Sequence, residues 1–171
     1  PEKRAEMRYM PNGVIREVND KSALEVSDEE RQATYEMRWE QGTGAFLGAF
    51  NDILTNKAAN DTMAEFVRGK IRATVKDPAT AEILCPYTHP IGTKRICIDS
   101  GYYQTYNREH VELIDISEAG IGRLTETGLE ANGRSFEFDA IVFATGFDAM
   151  TGTLFNVCLL YTSPSPRDAL E

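Results

Sequence analysis

The residues best suited to chemistry fall in two short stretches. The first is Gly92-Thr93-Lys94-Arg95, a small flexible turn followed by two adjacent cations. At the mouth of a strand that order of residues can face a phosphate or another anion. Taken alone, such a turn is more often simply solvated. The second is Ala144-Thr145-Gly146-Phe147-Asp148, which follows the apolar run from Asp139. Ligands of open α/β sheets bind beyond the carboxyl ends of strands, and a glycine there lets backbone approach a cofactor or take a positive φ. The plain alternative is a turn that ends a strand. Cys85, His89 and Cys97 raise the question of a metal. Their spacing is irregular and a fourth ligand is missing, whereas zinc sites use closely paired ligands, so no metal is expected. His89 and His110 read as loop residues. Gly42-Thr43-Gly44 begins a dinucleotide fingerprint only superficially, since position 47 is Leu and no strand precedes it. There is no Gly-x-Ser-x-Gly elbow, Walker loop or His-Glu-x-x-His.

The elements that must position these residues form three regions. Up to about Ile83 the pattern is helical. Ser27-Asp28-Glu29-Glu30 has the form of a capping box, with the Ser27 hydroxyl on the third amide and Glu30 reaching back. That helix should run to about Glu40 and stop before Gly42 and Gly44. A second, from about Ala45, would present Phe46, Leu47, Phe50 and Ile53. A third, after Asn60 or Asp61, would align Met63, Phe66, Val67, Ile71 and Val75 on one stripe. Asp77-Pro78 opens a short helix, because proline is tolerated in the first turn. The stripes show no obvious self-contained core.

From Cys85 to Ile116 short elements alternate. Residues 94–99 and 111–116 read as strands, and 102–107 as a short helix or turn. From Gly120 onward the chain reads as β-rich. Residues 123–126 and 135–138 flank the turn signal Ala131-Asn132-Gly133. Asp139–Thr145 has the near-continuous apolar run of a parallel strand buried on both faces. The fold class is therefore α/β with a helical insertion.

Composition bounds the function. The chain has 171 residues, enough for one domain, with 42% hydrophobic and 26% charged residues. Its net charge of −9 argues against nucleic acid or an anionic membrane as partner. Neither a long apolar run nor a leader-like segment is present. Cys85, Cys97 and Cys158 form an odd set without a CxxC pair, which suits reduced thiols and a cytoplasmic location. Cys158–Asp168 (CLLYTSPSPRD) resembles the in-frame translation of a sequencing adapter, so 158–171 is expected to be a non-native tail.

Five stretches, taken in order, resemble the class B flavin monooxygenases, the Baeyer–Villiger family that includes phenylacetone and cyclohexanone monooxygenases. They are 21–30 (KSALEVSDEE), 66–72 (FVRGKIR), 89–95 (HPIGTKR), 101–108 (GYYQTYNR) and 139–148 (DAIVFATGFD). The resemblance implies an incomplete two-dinucleotide-binding flavoprotein fold. Residues 1–83 would be a helical insertion of a Rossmann-like NADPH-binding domain and 84–146 the second part of that domain. Residues 147–157 would begin the return to the FAD domain. It implies FAD and NADPH as cofactors, and a ketone and O2 as substrates. The reaction would insert one oxygen atom to give an ester or lactone.

Carried over residue by residue, Arg95 matches the family's active-site arginine, whose guanidinium stays charged and offers five donors in a rigid fork. Lys94, with Thr93 beside it, matches the position associated with the 2′-phosphate of NADPH. Ala144, Thr145 and Gly146 match a cofactor-binding crossing between domains. Trp39, Phe46 and Phe50 are expected in the core. The family's glycine-rich fingerprints and its Phe-x-Gly-x-x-x-His-x-x-x-Trp-Pro motif are absent. The chain alone is therefore expected to be inactive without the missing remainder of its own chain. An N- or S-oxidising flavin monooxygenase is the alternative within the same superfamily.

Overall fold

The computed structural model describes Arg8 and residues 18–97 and 99–146. The chain divides into two compact units between Asp115 and Ile116.

In the first unit, helix α1 (Asp28–Gln41) starts where the Ser27 hydroxyl accepts from the Glu30 amide at 3.2 Å. The reciprocal half of the capping box is not what Glu30 makes, because its carboxylate pairs with Lys21. An ammonium is a stronger partner for a carboxylate than a neutral backbone amide. The helix stops at Gly42, whose φ of 97° returns its amide to the Trp39 carbonyl at 3.1 Å.

The expected second helix is reduced to one turn, α2 (Thr43–Phe46), and turns continue as far as Thr55. Phe46, Phe50 and Ile53 are nevertheless buried, as their spacing requires. Contacts with the preceding segment account for the irregular backbone. Asp52 accepts from the Ser22 hydroxyl at 2.7 Å and the Ala23 amide at 3.0 Å, and the Asn51 amide donates to the Lys21 carbonyl at 3.1 Å. Backbone tied sideways in this way cannot also continue a helical ladder.

Helix α3 (Lys57–Thr74) begins earlier than the sequence suggested, with Asn56 as its cap accepting from the Ala58 amide at 3.0 Å. Asn60 is therefore inside the helix. Helix α4 (Pro78–Leu84) begins after Asp77, which accepts from the Thr80 amide at 2.8 Å. Helix α5 is the short Tyr102–Thr105.

Contrary to expectation, these helices do close a core of their own. Tyr35, Phe46, Phe50, Ile53, Met63 and Phe66 are its large buried members. The Tyr35 and Phe50 rings meet edge to face at 5.5 Å. Trp39 is 37% exposed but lies edge-on to both Phe46 and Phe66. A second cluster, Ile71, Val75, Ala81 and Cys85, lies beneath Tyr103 and Tyr106.

The second unit holds a three-stranded antiparallel meander, β1 (Ile121–Leu124), β2 (Gly128–Ala131) and β3 (Arg134–Glu137). The β2–β3 turn has Asn132 at φ 51° and Gly133 at φ 72°, two positive values in succession as a two-residue hairpin needs. β2, from Gly128, was not foreseen. Gly128 admits no side chain, since a Cβ would lie 1.8 Å from the Phe136 carbonyl oxygen.

Three expected strands do not form among the described residues. Residues 94–97, 111–116 and 139–146 are irregular, and Ile98 lies outside the described residues. The apolar run that should be buried on both faces has Val142 88% and Phe143 59% exposed. A parallel strand exists only against a hydrogen-bonded neighbour, and among the described residues none pairs with this run. The tail at 158–171 and the return segment at 147–157 lie outside the described residues. Among the described residues no helix is long and apolar enough to cross a membrane. The coarse class, mixed helix and strand, stands.

Candidate functional site

The turn that carries Lys94 and Arg95 is built on helix α3. Asn60, 4% exposed, donates to the Ile53 and Ile91 carbonyls at 2.9 Å each, and accepts from the Ile91 amide at 3.0 Å. Gly92 comes next at φ 89°, where a Cβ would lie 2.7 Å from the end of Leu54. Thr93 then turns back on Pro90, whose carbonyl accepts its hydroxyl at 2.7 Å and its amide at 3.3 Å. Ile91 and Ile96 both pack on the main core. Between these two anchors Thr93, Lys94 and Arg95 are exposed.

Adjacency distinguishes that pair, since Arg38, Lys76 and Arg108 also lack a carboxylate partner among the described residues but each stands apart in sequence from the next such cation. Lys21, Arg31, Lys57, Arg68, Lys70 and Arg72 each pair with a carboxylate. Lys94 and Arg95 have no carboxylate partner among the described residues. Two neighbouring cations left to solvent, in a chain of net charge −9, form a ready counter-surface for a phosphate or a developing oxyanion.

The other end of α3 holds the Tyr-rich stretch. Asn107 donates to the Thr74 carbonyl at 2.8 Å and accepts from the Lys76 amide at 2.8 Å, which closes the helix terminus. The Tyr106 hydroxyl donates to that of Tyr102 at 2.8 Å. Burial, with that hydrogen bond, pushes the Tyr106 phenol up to about 12, and burial likewise raises Tyr103. These phenols stay protonated at neutral pH and serve packing. Arg72 holds Glu65 and Glu82 at 2.6 Å each and lowers both carboxyls through those hydrogen bonds. Burial raises the Cys85 thiol, so it is not a poised nucleophile.

In the second unit Ala144, Thr145 and Gly146 are exposed, and Gly146 takes φ 91°, the positive value that glycine permits. A shallow cleft of that unit is lined by Glu126, Thr127, Glu137, Phe138 and Asp139. Its three carboxylates disfavour a phosphate.

The residue that sequence reasoning missed is Asn60, read there as a helix start. Asparagine is uncommon inside a helix unless its amide finds a partner, and that was the available signal.

No family model matches the chain. It is 45% identical over 138 residues to a 2-oxo-Δ3-4,5,5-trimethylcyclopentenylacetyl-CoA monooxygenase of Pseudomonas putida, covering 80% of this chain and 25% of that protein. It is 43% identical over 135 residues to the phenazine N-monooxygenase PhzNO1 of Lysobacter antibioticus, covering 77% and 25%. Other relatives in this range are named cyclopentanone, cyclohexanone and Baeyer–Villiger monooxygenases. Among solved structures, an oxidised steroid monooxygenase bound to NADP superposes with a TM-score of 0.83 at 53% identity, over 90% of this chain and 29% of that one. These matches make the chain similar to one segment of several monooxygenases, among them a structure solved in complex with FAD and NADP. The chain spans about a quarter of the length of the curated relatives it matches.

Proposed function

We propose that the complete protein containing this segment is an FAD- and NADPH-dependent monooxygenase that inserts one oxygen atom from O2 into a ketone, giving an ester or lactone. The observation that carries the reading is the exposed pair Lys94 and Arg95, adjacent and without a carboxylate partner among the described residues. The residues present fit a phosphate-bearing dinucleotide on that ground. Residues 1–83 are then the helical insertion of a Rossmann-like NADPH domain, 84–146 its second part, and 147–157 the start of the return to the FAD domain. Thr93 and Lys94 hold the NADPH phosphate, and Ala144, Thr145 and Gly146 lie along the cofactor crossing. FAD, when bound, would supply the oxygen-transfer chemistry. Arg95 presents fixed donors to negative charge developing on the substrate oxygen.

Lys94→Ala tests this directly. An ammonium rewards the 2′-phosphate of NADPH and has nothing to reward in NADH. In the complete enzyme, kcat/KM for NADPH should fall about tenfold or more, the size of one charge-assisted hydrogen bond, while NADH turnover stays within about twofold. Equal losses with both cofactors would sink the assignment.

The 171-residue chain alone is proposed to be catalytically inactive. Purified, it should be colourless and show no NADPH-dependent oxygen uptake. A yellow, oxygen-consuming preparation would overturn that statement.

A second reading, oxygen transfer to nitrogen or sulfur, is favoured by one observation: a relative named as an N-monooxygenase matches this segment about as well as the ketone enzymes do. Product analysis of the complete enzyme with a cyclic ketone and with an aromatic amine separates the two.

A further inference from the structure

We propose that Asn60 is a positioning residue, whose buried side-chain amide fixes the turn that delivers Lys94 and Arg95. The inference rests on the cofactor role assigned to Lys94 above. Asn60 uses three of the four hydrogen-bonding positions of its amide. Both backbone groups of Ile91 are bonded to this one side chain, the amide at 3.0 Å and the carbonyl at 2.9 Å. Its second donor hydrogen reaches the Ile53 carbonyl at 2.9 Å. A single side chain thus ties the start of the 91–96 turn to helix α3 and to the turns before it, in the manner of a strand partner.

No other residue type does this at that reach. Aspartate would set a carboxylate against two carbonyl oxygens. Leucine, of similar shape, would strand the amide and the carbonyl of Ile91. Glutamine is one methylene too long for a site that is 4% exposed.

The clamp governs the next five residues of the chain. A side chain at Gly92 would meet Leu54 and Leu47, Thr93 folds back onto Pro90, and Ile96 returns to the core. With both ends anchored, Lys94 and Arg95 start from fixed backbone positions three and four residues after Ile91. A displacement of about 1 Å at such a point is enough to spoil catalytic geometry.

The test is a double-mutant cycle on the complete enzyme, read as the ratio of kcat/KM for NADPH to that for NADH. Asn60→Leu and Asn60→Ser should each lower that ratio about tenfold, with thermal midpoint and flavin content recorded alongside. Combined with Lys94→Ala, either variant should lower it no further than Lys94→Ala alone, since a misplaced and a missing ammonium are equivalent. A loss of overall activity with the ratio unchanged would make Asn60 purely structural and overturn the proposal. So would insoluble protein from both Asn60 variants. Additive losses in the double variant would overturn it as well. If Lys94→Ala itself leaves the ratio unchanged, the cofactor reading fails instead.

Discussion

Arg95→Ala in the complete enzyme should leave reduction of the flavin by NADPH within about threefold of its normal rate and lower oxygenated product about 10²–10³-fold, the loss expected on removal of one preorganised donor to a developing oxyanion. The asymmetry arises from where charge moves. On the proposed reading, reduction of the flavin would put no new charge on a substrate oxygen. Oxygen transfer would, and on that reading the Arg95 guanidinium would present its donors to that charge. Arg95 is suited to this because its side chain is free of carboxylates among the described residues, whereas Arg72 is neutralised by Glu65 and Glu82. Arg95→Lys should recover only part of the loss, since an ammonium keeps the charge but not the planar fork. Rapid-mixing absorbance of the flavin tracks the first half of the reaction, and chromatography of the product tracks the second. Product formation unchanged in Arg95→Ala would remove the residue from the chemistry. Equal losses in both halves would point to cofactor binding instead.

Short-range chemistry was the legible part of this molecule. Ser27, Asp77 and the pair Asn132-Gly133 act on amides or torsions a few residues away, and each does in the structure what its type and spacing implied. The apolar stripe of Met63, Phe66, Ile71 and Val75 was equally plain, since its period alone decides which way those side chains face. The misreadings were non-local. Phe46, Phe50 and Ile53 have helical spacing, but turns at the same spacing bury them just as well, and it is Asp52 with Ser22 and Ala23 that selects turns. Asn60 is of a type favoured at caps, and only the arrival of Ile91, distant in sequence, shows its other use. The run from Ala140 to Ala144 announces a demand for burial on two faces, yet no pattern within it says which strands answer. The candidate site divides in the same way. The cationic character of Lys94 and Arg95 was readable, and the clamp that holds them was not.

Phe50→Ala should cost about 3–5 kcal/mol, the usual loss for a buried phenyl ring whose surroundings cannot collapse. Phe50 is 1% exposed and meets Tyr35 edge to face at 5.5 Å, so truncation removes both a transfer term and a ring contact. Against the roughly 5–15 kcal/mol that holds a typical domain together, that is enough to bring a marginal unit near its unfolding midpoint in plain buffer. The urea midpoint of the helical circular-dichroism signal should fall by about 1 M or more, given the usual dependence of stability on denaturant. Trp39→Ala is the internal comparison. Its ring is larger but 37% exposed, and it meets Phe46 and Phe66 in T-shaped pairs, so its shift should be less than half as great. A larger shift for Trp39→Ala would mean that the core is centred elsewhere. The consequence reaches the candidate site, because Phe50 packs in the same cluster as Ile53, and the Ile53 carbonyl is one of the three groups that orient Asn60. Loosening that cluster should therefore also weaken the hold of the Asn60 amide on the Ile53 carbonyl.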